Sequence, residues 1–282
     1  MKKEQKGKQY QDTIFRAYFN DEMRLKDVAE ALHGKSYVEE PLEIVTLEGT
    51  FLSQIKNDIS FLLAGCNLFF LEHQSTLNNN MALRCLYYVC EQLRTYIPAK
   101  KLYQNTVIRI PSPEFHVFYT GSRDMPETYQ MKLSDAYMKT AEEIALELEV
   151  NFHNIAYDEA KKLLQQSRAL HDYSFFIDRI KKNMAASLDR AQAIREAMKY
   201  CEEHDIMKEF LQQHEGEVVD MVNFEWNQKD FEEAILEEGR EEGKVSVVLG
   251  MLKEKLPLET IAKVSEISLD KIREIGKMHS LL

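Results

Sequence analysis

The chain has 282 residues, 44% hydrophobic and 29% charged, which is enough for one large domain or two smaller ones with a buried core. Its apolar runs all fall short of the ~18 residues of a membrane-spanning helix, and the polar start MKKEQKGKQYQD lacks the apolar stretch of a secretion signal, so a cytoplasmic location is expected. The net charge of −11 excludes a uniformly basic nucleic-acid binder.

That charge is unevenly spread. Residues 1–130 carry 15 Lys and Arg against 16 Asp and Glu, a net of −1, whereas residues 131–282 carry 21 against 31, a net of −10. The N-terminal half is therefore free to present a local basic face. The four cysteines, Cys66, Cys85, Cys90 and Cys201, make no CxxC pair and no zinc-like spacing with histidine. Scattered thiols fit a reducing compartment and a packing role.

In chain order, YQDTIFRAYFNDEMRLKDVAEAL reads as two helices broken near Asn20 and Asp21, with Ile14, Phe15, Tyr18 and Phe19 at helical spacing. KSYVEEPLEIVTLEG contains a strand-like run ending at Gly49. NDISFLLAGCNLFFLEHQ then places two apolar, β-prone segments around Ala64-Gly65-Cys66-Asn67, a hairpin signature. NNNMALRCLYYVCEQLRTYI is a long helix with Asn80 as its expected N-cap and Pro98 as its stop. FHVFYTG forms a further strand, with Gly121 making the turn and Tyr119 packing, and ALELEVNFHNI contains another. From about residue 156 the pattern is helical, through the glycine-interrupted EEGREEGK to a helix-turn-helix-like pair in LPLETIAKVSEISLDKIREI.

The hairpin carries the chemistry. Strand side chains alternate faces, so Glu72 and Gln74 share one face and His73 takes the other. A tight turn centred on Gly65 puts Asp58 opposite Glu72, with β-carbons about 4.5–5.5 Å apart. Two carboxylates that close repel unless a cation sits between them. Mg²⁺ takes one or two carboxylates, a carbonyl and retained waters, and Asp58, Glu72 and the backbone carbonyl of His73 supply that set. The same residues also fit a polar strand end open to water, with the register shifted by one. Arg84, on the following helix, is placed either to bind a phosphate or to pair with a local carboxylate. His73 fits a packed side chain better than a ligand, and Glu114 fits a strand start better than a third acid. Lys271 and Arg273 are the cations a DNA-reading helix at the C-terminus would use, although helical packing or oligomerisation fits that pair better.

The order DTIFRAYFND, Asn57-Asp58, LEHQST, NNNMALRCLYYV, PSPEFHVFYTG and EWNQKDFEEAILEEGREEGK resembles the PD-(D/E)xK nuclease superfamily. Within it the chain is most similar to the Rpn family of recombination-promoting nucleases and transposases, the YhgA-like group included. The resemblance implies an α/β (α+β) restriction-endonuclease-like core, a mixed sheet flanked by helices, over residues 1–155, and a helical C-terminal region over residues 156–282. It implies a bacterial, Mg²⁺-dependent DNA endonuclease, with Mn²⁺ able to substitute. Asp58 and Glu72 match the metal-binding acids, and Asp12 matches a position that helps set the site. Gln74 stands where the wider superfamily has lysine. An amide there still holds a water and donates to a phosphate oxygen, but it carries no charge. That departure, with the charge of −11, keeps a second reading open: a nuclease-fold protein serving as a DNA-binding or protein-interaction module. A homodimer through the helical tail is a further expectation.

Overall fold

Strand β3 (Asn67–Gln74) is buried from Leu68 to Gln74, and its neighbours explain why Leu68–Leu71 are apolar on both faces. It pairs antiparallel with β2 (Ile59–Leu63) and parallel with β4 (Ser112–Tyr119), so both edges are covered. β1 (Leu42–Ile44) lies outside β2, and β6 (Glu149–Asn154) and β5 (Thr128–Lys132) complete a six-stranded mixed sheet in the order β1-β2-β3-β4-β6-β5. This computed structural model describes residues 9–47, 56–138, 143–186, 190–214, 216, 218, 248, 251–252, 256–265 and 272–273. No described helix is long and apolar enough to cross a membrane.

The β2–β3 hairpin turns at Ala64 and Gly65, which have φ of 53° and 66°. Tight hairpins favour positive φ at both central residues because that twist matches the flanking strands. Each pair in the ladder, from Ile59↔Leu71 to Leu63↔Asn67, sums to 130, the register the sequence implied. Phe61 and Phe69 face each other in that register and stack 4.7 Å apart.

Two apolar layers sandwich the sheet. On one face, Phe61, Phe69, Leu71 and Phe118 pack with α1 (Gln9–Phe19), α2 (Glu22–His33) and α5 (Arg168–Ala185). On the other, Leu68, Phe70, Val117 and Tyr119 pack with α3 (Met81–Tyr96). The break between α1 and α2 falls at Asp21, whose carboxylate accepts from the Arg24 N–H and satisfies a free donor of α2. Asn80 sits at the N-cap position of α3 but makes no side-chain cap bond; Asn78 accepts from the Asn80 N–H instead. Gly121 is needed for closeness, since a Cβ there would lie 2.1 Å from the Tyr119 hydroxyl. Cys85 and Cys201 pack in the interior as expected, while Cys66 and Cys90 are exposed.

Helices α4 (Lys162–Gln166), α5, α6 (Arg190–Glu203) and α7 (Lys208–Gln213) share the first core with α1 and α2. The Tyr173 hydroxyl donates to the Gln11 carbonyl at 2.9 Å, and Asp27 on α2 accepts from Ser167 and the Ala169 N–H at the start of α5. The boundary expected at residues 155/156 therefore runs through a shared interior. The chain divides instead into Met1–Val222 and Asn223–Leu282. In the second unit Val248, Leu252, Ile261 and Ile272 form a small core around α8 (Leu258–Ser265). EEGREEGK, Lys271 and most of the expected helix-turn-helix turn lie outside the described residues.

Because α5 seals the α1 face of the sheet, a chain ending at residue 155 should expose that interior and lose cooperative urea unfolding. A single sharp transition for that fragment would show that the sheet and α1–α3 suffice.

Candidate functional site

Asp58 lies one residue before β2, and the observed register carries it opposite Glu72. The two residues brace each other. The Asp58 N–H donates to Glu72 Oε1 at 3.0 Å, and the His73 N–H donates to Asp58 Oδ2 at 2.8 Å. Each carboxylate is thus held by the other strand's backbone, with both on the same end of the sheet. Along an extended strand the N–H and C=O of one residue leave on the same side, so the His73 carbonyl is also directed toward β2.

Glu72 is 2% exposed. Its Oε2 accepts from the Arg84 guanidinium at 3.1 Å and from the Tyr88 hydroxyl at 3.4 Å. Of the two roles open to Arg84, the structure shows the pairing with a local carboxylate, and that carboxylate is Glu72 itself. Burial, and then the Asp58 charge, pushes the Glu72 carboxyl up to about 8. Asp58 is also raised; burial drives it, the His73 N–H opposes it and the Asp12 charge adds to it. Burial, assisted by the Glu72 charge, raises the Cys85 thiol and the Tyr88 hydroxyl as well. These groups share one electrostatic environment beneath α3.

Gln74 is buried beside the pair, and its Oε1 accepts from the Asn78 N–H at 3.2 Å, so the amide bridges strand end and loop. His73 points to the opposite face, as alternation requires. Its Nδ1 lies 2.5 Å from Asp12 Oδ1 and its Nε2 2.8 Å from Thr120 Oγ1, which in turn donates to Gln11 Oε1 at 2.7 Å. Asp12 thus grips the His73 ring, and His73 in turn grips Asp58 through its N–H; Asp12 is not part of the facing acid pair. Thr120 and Gln11 were missed in the sequence because their partners lie 47 and 109 residues away, beyond any local pattern. Glu114 is distant from the pair in chain and contact; it meets His33 Nε2 at 2.7 Å.

Among the described residues, no group of three or more His, Cys, Asp or Glu side chains is arranged to hold a metal ion. The facing pair offers two carboxylates and a backbone carbonyl, a set that suits a cation retaining waters, as Mg²⁺ does, and does not suit an all-protein zinc cage. Asp58 Oδ1 takes none of the bonds just described. A cleft of about 570 Å³ opens elsewhere, lined by Asp27, Arg168, His171 and Asp172 among others, and includes none of these acids. No family model, curated protein or solved structure matches this chain.

A carboxyl raised from its usual value of 4.5 to about 8 binds a proton in the folded state that the unfolded chain releases. The stability this contributes is complete below about pH 4.5 and is lost as pH rises toward 8. Urea midpoints for the wild type should therefore fall between pH 5 and 9, and those of Glu72→Gln should fall less. Equal falls would assign the titration to another group.

Proposed function

We propose that the chain is a Mg²⁺-dependent DNA endonuclease, with Mn²⁺ able to substitute, acting in recombination, transposon-like mobility or defence. The observation that carries this reading is the mutual bracing of Asp58 and Glu72 at one end of the hairpin, with both carboxyls raised in proton affinity by burial and by neighbouring acids. Two acids held this close, Glu72 buried and Asp58 half-buried, form a site whose electrostatics favour a cation. The mixed sheet flanked by helices supports the same reading, as does the resemblance of the order of stretches to the Rpn family.

In this reading Asp58, Glu72 and the His73 carbonyl hold the cation. Such a cation polarises a phosphodiester and makes water nucleophilic near neutral pH. The chain's own residues supply the rest. The Asp12–His73 contact and the His73 N–H keep Asp58 from turning away from Glu72. Gln74 presents an amide where a lysine would bring charge, so it orients water or a phosphate oxygen without adding electrostatic stabilisation. Arg84, with 42% of its side chain exposed, is the cation nearest to hand for a phosphate.

A specific observation favours the second reading, a binding module without catalysis. Both Glu72 oxygens are already engaged by protein donors, and the Gln74 oxygen is spent on the Asn78 N–H. Calorimetry with Mn²⁺ separates the two. The endonuclease reading expects Mn²⁺ binding that tightens from pH 6 to 9, as the proton on Glu72 ceases to compete, and that Asp58→Ala abolishes. It also expects nicking of plasmid DNA in Mg²⁺, lost to background in the same variant. Folded protein that binds no Mn²⁺ at millimolar concentration would leave the binding module.

A further inference from the structure

Residues 92–113 contain four basic residues, Arg94, Lys100, Lys101 and Arg109, and no acidic one, a local net of +4 in a chain of net −11. The segment leaves the end of α3, passes through the 3₁₀ turn Ala99–Tyr103 and returns to β4, and residues 98–107 are all exposed. Tyr103 is 89% exposed and Val107 81%. Such exposure of large apolar side chains beside cations calls for a partner. Arg94 pairs with Glu91 at 3.0 Å, but no ion pair among the described residues holds Lys100, Lys101 or Arg109.

Arg84, part-exposed on α3, links this surface to the acid pair through its bond to Glu72. α3 begins beside Glu72, where Arg84 binds it, and the outward residues Leu83, Tyr87, Cys90 and Arg94 carry an exposed face toward the basic segment, its one acid, Glu91, being paired with Arg94. From Arg84 to Tyr96 is twelve residues, about 18 Å of helix, or the axial rise of roughly five base pairs of duplex. We propose that the exposed face of α3 and the 99–110 segment form a track for DNA, with Lys100, Lys101 and Arg109 on phosphates and Tyr103 against a base. Anions meet the charge, and aromatic rings interleaved with cations suit an extended strand. A second copy of the chain fits poorly, because a two-fold contact would set these three cations against themselves.

The track deepens the nuclease reading but stands on different atoms, so the two fail separately. Fluorescence anisotropy of full-length protein in EDTA, with a 20-nucleotide strand and a 20-base-pair duplex of roughly the length the track and site require, measures binding without cleavage. Replacing Lys100, Lys101 and Arg109 together by glutamine should weaken binding on the order of a hundredfold at 0.1 M salt and reduce the log–log salt slope by about 2 to 3. Tyr103→Ala should weaken single-strand binding at least about fivefold. A control triple at the exposed Lys162, Lys182 and Lys208 should change neither affinity nor slope appreciably. Wild-type protein that binds no DNA, a slope unchanged in the first triple, or equal losses in both triples would overturn the track; the last two would leave this face to an acidic protein or to net charge. Track-dependent binding with plasmid left intact in Mg²⁺ would instead remove the nuclease reading and keep the track.

Discussion

The ladder between β2 and β3 is the constraint on which the site depends. Side chains in a strand alternate with period two, so a slip of one residue would send Asp58 to the α1 face while Glu72 stayed beneath α3. Ala64 and Gly65 fix the turn and Phe61 stacks on Phe69 two residues further in, so the alignment is pinned from the closed end of the hairpin. At its open end the ladder gives way to side-chain bonds: Asp58 and Glu72 each accept a backbone N–H from the opposite strand. The acids therefore continue the hydrogen bonding of the sheet beyond its last regular pair.

Burial on both faces of β3 sets the chemistry of those acids. An isolated carboxylate in such a place is costly, and the structure compensates Glu72 with Arg84, Tyr88 and the Asp58 N–H. The compensation is incomplete, which is why the carboxyl holds its proton so far above the ordinary range. On the opposite face the imidazole of His73 is fully buried as a side chain and spans Asp12 and Thr120. One strand thereby links α1, the loop after β4 and the α3 layer, and a displacement of α1 reaches Asp58 through His73. The long helix α5 closes this arrangement, with Tyr173 against Phe15 and Phe19 and its hydroxyl on Gln11.

Charge is segregated in the same molecule. The acidic excess of residues 131–282 leaves the N-terminal half near neutrality, and within it the stretch after α3 concentrates cations that no described carboxylate satisfies. Segregation of this kind is invisible in the net charge and becomes a surface only once α3 directs the segment outward.

Much of the first 120 residues was legible because its signals are local. The α1–α2 break at Asp21, the hairpin, the extent of α3 and the apolar run of β4 all follow from turn chemistry and periodicity, and the opposed faces of Glu72 and His73 follow from alternation alone. Strand β5, TYQMK, was missed although Thr128, Gln130 and Lys132 alternate with Tyr129 and Met131, which pack on the second core; five residues of alternation at a sheet edge are a weak signal. The extent of the first unit was not legible either, since helices after residue 155 look like any amphipathic helices until their apolar faces meet Phe15 and Phe19. The sequence by itself narrowed the hairpin to two alignments, one with Asp58 opposite Glu72 and one shifted by a residue, because turn chemistry and a two-residue period fix no more than that; the observed ladder selects the first. Only the tertiary structure decided that Arg84 pairs with Glu72 and that Asp12, Thr120 and Gln11 hold His73, because those contacts join segments that become neighbours when the helices dock on the sheet.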